Sequence, residues 1–164
     1  MSGTPIRSVC GILCGQRKSA KLHRFQKLQK SKENPRNPKI SGVVLELLTR
    51  FELVALGVYE ISEDVVTVHI VYMESQAQSN PTLCERPKYR GIGRALIAYG
   101  IKLSVDAGFN GDVTLDAKTP ELARHYERDF GALLIPGRKR GAAPRYLICD
   151  EAARDIFVSY FEEG

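Results

Sequence analysis

The chain has 164 residues, 43% of them hydrophobic and 26% charged, with a formal net charge of +5. That composition can bury the core of one ordinary domain, and it excludes the low-hydrophobicity, high-charge pattern of a disordered chain. The positive balance permits an anionic ligand or partner and names none.

Residues 17–39 are strongly basic. Within them Leu22, Phe25 and Leu28 recur every three residues, the spacing of a short amphipathic helix with a solvated basic face. Contact with nucleic acid is the alternative use of such a face. "NPRNP" at 34–38 then breaks any helix, because proline restricts itself and the residue before it. Residues 1–39 are read as a basic N-terminal segment of the domain, and 40–164 as its main body.

Three β-rich runs follow: "ISGVVLELL", "FELVALGVYEIS" and "VVTVHIVYMES". The first also fits a helix, since Leu45, Leu48 and Phe51 share helical spacing. "SED" at 62–64 suits a hairpin turn between the other two. "VVTVHIVYM" is nearly all apolar, as expected of a central strand buried on both faces. "QAQSNPTLCERP" is polar and proline-marked, and reads as a loop.

Ile92, Leu96, Tyr99, Leu103 and Ala107 step by three or four, one face of a helix that Gly108 is placed to end. "DVTLDA" reads as a strand. "TPELARHYERDFG" reads as a helix with Thr119 as N-cap, Pro120 in the first turn, Glu121 beside the positive dipole end and Gly131 past the C-terminus. "ALLIP" and "RYLIC" read as strands on either side of a basic loop, and "EAARDIFVSYF" as a closing helix or turn. The order predicts an α/β fold with a mixed sheet.

Cys10, Cys14, Cys84 and Cys149 form no Cys-x-x-Cys pair, and His23, His69 and His125 are scattered. Zinc needs clustered ligands, so no metal site is expected. A domain of this size does not need a disulfide framework, and the thiols are read as reduced, in a cytoplasmic compartment. "VCGILCG" is too short and too glycine-broken for a signal-peptide core, and nothing approaches a membrane span.

The chemistry-bearing stretch is "KYRGIGRALIAYG", residues 88–100. A strand, a Gly-rich turn and a helix make an anion site, because first-turn amides lack intrahelical partners and the dipole adds about half a positive charge there. Gly91 and Gly93 leave the backbone bare, and Lys88, Arg90 and Arg94 could add charge-assisted bonds. The spacing rules out Gly-x-Gly-x-x-Gly, since position 96 is Leu, and there is no Gly-Lys-Ser/Thr.

Lys88-Tyr89-Arg90-Gly91-Ile92-Gly93-Arg94-Ala95-Leu96 resembles the coenzyme A motif of the GNAT superfamily of N-acetyltransferases, and "TPELARHYERDFGALL" resembles that family's later strand-to-helix stretch. The likeness covers roughly residues 40–150. Lys88 replaces the usual Gln or Arg, Thr119 stands where Asn is common, and the loop 76–87 is longer than is typical. The resemblance implies a GNAT-like acyl-CoA N-acyltransferase fold, a central mixed sheet flanked by helices, whose first strand and helices would fall within the first 40 residues.

It further implies acetyl-CoA as co-substrate and direct attack by an amine, small-molecule or peptide. Coenzyme contacts would come from Lys88, Tyr89, Arg90, Gly91, Ile92, Gly93, Arg94 and Thr119, and from a splayed strand end near Tyr72 and Met73. Tyr126 falls on the position of the general acid that protonates the leaving thiolate. Glu74 is the first candidate base, on the expectation that partial burial raises its pKa, and Asp116 is the second. His69 reads as a satisfied core histidine and Cys84 as incidental. The basic loop 137–145 would border the acceptor pocket.

Two other readings stay open. One is a non-catalytic acyl-CoA-binding or nucleic-acid-binding module using the basic N-terminal segment. The other is an interaction protein, monomer or homodimer, in which "DIFVSYF" forms a dimer face. No membrane association is expected.

Overall fold

The computed structural model describes residues 30–34, 37–48, 52–80 and 83–161. Among these residues seven strands form one sheet: β1 (Lys30–Asn34), β2 (Asn37–Leu48), β3 (Leu53–Ser62), β4 (Thr67–Ser75), β5 (Val113–Asp116), β6 (Leu133–Ile135) and β7 (Arg145–Ile148). Their order is β1-β2-β3-β4-β5-β7-β6. All neighbours are antiparallel except β4 and β5, which run parallel and are joined by α1 (Ile92–Asp106). A parallel pair needs such a crossover. The helices α2 (Pro120–Phe130) and α3 (Asp150–Phe161) complete the mixed α/β fold read from the sequence.

β2 settles the ambiguity of "ISGVVLELL". Val43, Leu45 and Leu47 are buried while Val44 and Glu46 are half-exposed, a period of two. That is a strand with one core face, and β-branched residues favour it. The stretch assigned to Leu22, Phe25 and Leu28 lies outside the described residues. β1 pairs antiparallel with β2, Asn34 with Asn37, and two residues separate the strands, too few to hold helices.

The helices pack on one face of the sheet. A Cβ added at Gly100 of α1 would stand 3.1 Å from Ile70 and 3.2 Å from Tyr59, so α1 lies directly on β3 and β4. Ile70 pairs with Leu115, and Leu115 with Tyr146, whose ring meets Tyr126 of α2. Gly131, just past α2, approaches Ala152 of α3. Tyr59 is fully buried between sheet and helix, and its phenol donates to the Leu96 carbonyl at 2.8 Å. The opposite face carries His69, Asp116 and Arg145.

α1 is buried on more than the expected stripe. Ile92, Leu96, Tyr99 and Leu103 are buried, and so are Ile97, Ala98 and Ile101, because α3 covers the second side. Ala107, expected on the buried face, is exposed, since the helix has ended by then. α2 has the expected punctuation. The Thr119 hydroxyl accepts from the Leu122 N–H at 3.3 Å, and Gly131 ends the helix in the left-handed region. A cap of this kind stabilises by about 1 kcal/mol.

β4 corrects the expectation of a strand buried on both faces. Val65 and Val66 belong to the turn and are exposed, and burial ends at Ile70. Tyr59 pairs with Ile70 and Val58 with Tyr72, which leaves Val71 as one extra residue, a bulge. The ladder with β5 covers only Val68 to Ile70, while β4 runs on to Ser75. β5 ends at Asp116, one residue past the last pair, and among the described residues the β5-facing edge of β4 beyond Ile70 pairs with no strand.

Candidate active site

The loop after β4 is fastened to the glycine turn. The Lys88 N–H donates to the Gln78 carbonyl at 2.8 Å, and the Tyr89 N–H to the Ser79 hydroxyl at 3.2 Å. Ser79 is buried and also accepts from Gln76 at 3.1 Å. The side chains of Lys88 and Tyr89 turn to Glu52 instead of to the helix. Lys88 Nζ stands 2.6 Å, and the Tyr89 hydroxyl 2.8 Å, from the same Glu52 Oε1. The Lys88 hydrogen bond lowers the Glu52 pKa and raises that of Lys88.

Gly91 is the N-cap of α1, at φ 75 and ψ 9, a left-handed conformation that glycine adopts without steric cost. Its carbonyl accepts from the Ala95 N–H at 2.9 Å and from the Tyr160 hydroxyl at 3.1 Å. No side chain caps this helix and no acid stands in its first turn. Among the described residues the amides of Ile92, Gly93 and Arg94 have no hydrogen-bond partner. α2 differs on both points, with its Thr119 cap and Glu121.

Gly93 is the informative residue. It lies within the helix, so its conformation does not call for glycine, and a Cβ there would meet nothing within 4 Å. Glycine inside a helix costs about 0.5–1 kcal/mol against alanine, and neither packing nor backbone geometry offsets it here. What the missing side chain provides is bare amide facing open space. Arg90 and Gly91 are exposed beside it and Arg94 is half-buried, while the Ile92 side chain is in the core, so only its backbone faces the turn.

Beyond the β4 bulge, Tyr72 and Glu74 project from the same face and both are exposed. The expected partial burial of Glu74 is therefore absent, because the strand has left the shelter of β5. The Tyr72 phenol donates to the Glu74 carboxylate, which raises the Tyr72 pKa. Lys118 Nζ lies 5.8 Å from the Tyr72 ring centroid. Met73 points the other way and packs against the core.

Tyr126 is 6% exposed, its ring 6.2 Å from Tyr146 and 6.4 Å from Phe130. Its phenol has no hydrogen-bond partner among the described residues. Burial, and secondarily the Asp116 charge, raise its pKa, so it stays protonated at neutral pH. The Thr119 hydroxyl, by contrast, is committed to its cap.

Asp116 is not a free carboxylate. Arg145, its partner across β5 and β7, grips it with two nitrogens at 2.6 and 2.9 Å, and Arg138 adds a contact at 3.2 Å. The Arg145 hydrogen bond holds its pKa below the usual carboxylate range. That removes the basicity that a proton acceptor needs. His69 is satisfied, as expected: Nδ1 lies 3.1 Å from the Thr114 carbonyl and Nε2 accepts from Arg145 at 3.2 Å. Burial, with Arg145 second, lowers its pKa, which favours the neutral ring. Burial, and then the hydrogen bond to Asp150, push the Cys149 thiol up to about 11, which favours the protonated form.

Glu52 and Tyr160 were not singled out in the sequence, and Arg138 and Arg145 only as members of the basic loop 137–145. Arg145 had a further signal, its position opposite Asp116 once the two strands are paired. The other three reach the site across loops or from α3. Among the described residues no group of His, Cys, Asp and Glu could hold a metal, and no helix is long and apolar enough to cross a membrane.

No protein-family model matches the chain. No curated protein sequence matches it either. Among solved structures it is similar to the crystal structure of nourseothricin acetyltransferase, at 13% identity and a TM-score of 0.47, over 76% of this chain and 84% of that one.

Proposed function

We propose that this chain is a GNAT-like N-acetyltransferase that moves the acetyl group of acetyl-CoA to an amine. The observation that carries the reading is Gly93: a helical glycine with no structural reason, in a first turn whose amides are unpaired. A bare, dipole-positive helix start is suited to a pyrophosphate. The unpaired edge of β4 lies on the same side of the fold, where it can pair with the amide groups of an extended ligand arm, as strand addition does elsewhere.

Acetyl-CoA supplies a thioester carbonyl, the acetyl donor. The chain's part is to bind, orient and move protons. The amides of Ile92, Gly93 and Arg94 hold the phosphates, with Arg90 and Arg94 adding charge. The amine nitrogen attacks the carbonyl carbon and the carbon–sulfur bond breaks. Tyr126, buried and protonated, gives its proton to the departing sulfur. Glu74, directly or through water, takes the proton that the amine loses. Asp116 is a weaker candidate, because its guanidinium partners oppose protonation. Lys88 and Tyr89 hold the turn through Glu52 and reach the phosphates only by leaving it.

The test is calorimetric titration with CoA, followed by an assay of free thiol release from acetyl-CoA across a panel of amines. Micromolar binding and amine-dependent release support the reading. No binding and no release would remove it.

A further inference from the structure

The end of β5 and the loop between β6 and β7 concentrate positive charge. Lys118 follows β5, Arg138, Lys139 and Arg140 stand together in the loop, and Arg145 opens β7. Asp116 lies among these cations with both of its oxygens taken, and Glu74 borders them through the Tyr72 ring that Lys118 faces. Arg145 holds Oδ1 at 2.6 Å and Oδ2 at 2.9 Å. Glu60 acts on Arg145 only through its charge, with no direct contact.

Arg138 is the unmatched member. It approaches Asp116 with Nη1 alone, 3.2 Å from Oδ1 and 3.5 Å from Oδ2. Its Nε and Nη2 donors have no acceptor among the described residues. Its side chain is 31% exposed, so the guanidinium is held in place yet open to solvent. Asp116 ends β5, one residue past its last pair with β4, so Arg138 stands at the gap where the edge of β4 goes unpaired. An anchored guanidinium with spare donors at the edge of that gap can receive a planar or tetrahedral anion. The surrounding cations repel a polycation.

We infer that the amine accepted here belongs to a molecule bearing an acidic group, a carboxylate or a phosphate, and that Arg138 receives that group. This rests on the transferase reading and narrows it. The field favours acidic amines on approach, and the spare donors of Arg138 fix the acid once it arrives. Polyamines and other polycationic acceptors are disfavoured on both counts.

The experiment compares matched acceptors at saturating acetyl-CoA with the full chain: β-alanine against propylamine, ethanolamine phosphate against ethanolamine, and putrescine as the cationic arm. At least one acidic acceptor is expected to exceed its uncharged counterpart in kcat/KM by about tenfold or more, the scale of one charge-assisted hydrogen bond. Which pair responds tells carboxylate from phosphate. Arg138→Ala should erase the preference through KM and leave the Kd for CoA unchanged. Arg138→Lys should restore part of it, and Lys102→Ala, a charge loss remote on α1, should leave it intact. Equal rates within both pairs, or putrescine as the best acceptor, would overturn the inference and leave the transferase standing. Failure to bind CoA, with no thiol release from any amine, would overturn both.

Discussion

The phenol of Tyr160, near the end of α3, donates to the carbonyl of Gly91 at 3.1 Å, 69 residues away in the chain. The peptide unit is planar and trans, so fixing this carbonyl also fixes the Ile92 N–H that points the opposite way. That amide is one of the three unpaired donors of the turn. The closing helix thus holds the direction of the proposed phosphate site. Tyr160→Phe removes the hydrogen bond and keeps the ring. CoA affinity should fall about three- to tenfold, the range of a neutral hydrogen bond, with the Tm little changed. Calorimetry on the two proteins measures it, and equal Kd values would mean that the contact only braces the fold.

Tyr126 is placed to act as an acid, not as a phosphate contact. Tyr126→Phe should lower kcat by about a hundredfold or more, the lower end of general-acid contributions, while the Kd for CoA stays the same. Burial raises this phenol above its ordinary value of 10. The protonated form is the active one, so no loss of activity from this group should occur below about pH 10. Turnover unchanged in the variant would take Tyr126 out of the mechanism.

His69 makes stability depend on pH. Its pKa is lowered from 6.5, first by burial and then by Arg145. The unfolded chain therefore takes up a proton that the folded chain resists. Wherever the unfolded state binds more protons, stability rises with pH, so this contribution is present above 6.5 and lost as the pH falls below it. Urea unfolding between about pH 7.5 and about pH 5.5 should show declining stability, and His69→Gln should flatten that decline. An identical slope in the variant would contradict the assignment.

The parts of the fold written in local chemistry were legible. α2 is the clearest case, since Thr119, Pro120, Glu121 and Gly131 are all local signals, and each stands where the sequence put it. The glycine turn was legible for the same reason. β4 was half-read: its apolar run gave the strand, but Val71 and Tyr72 are exposed because β5 is only four residues long, a fact about another segment. Glu74 failed as a buried carboxylate for that same reason. Lys88 looked like a phosphate ligand, and nothing nearby in sequence betrays Glu52, which claims it. Tyr160 is the extreme case, a contact set wholly by how α3 lies along α1.

The most direct measurement sets stability against binding at Gly93. Glutamate there has open space, gains helix propensity and stands at the positive end of the α1 dipole. Gly93→Glu should leave the fold as stable or add about 0.5–1 kcal/mol. CoA affinity should fall about a hundredfold or more, because a carboxylate set against a phosphate costs several kcal/mol. A variant that is at least as stable and has lost CoA is the expected result. A variant that binds CoA as tightly as the parent chain would contradict the account.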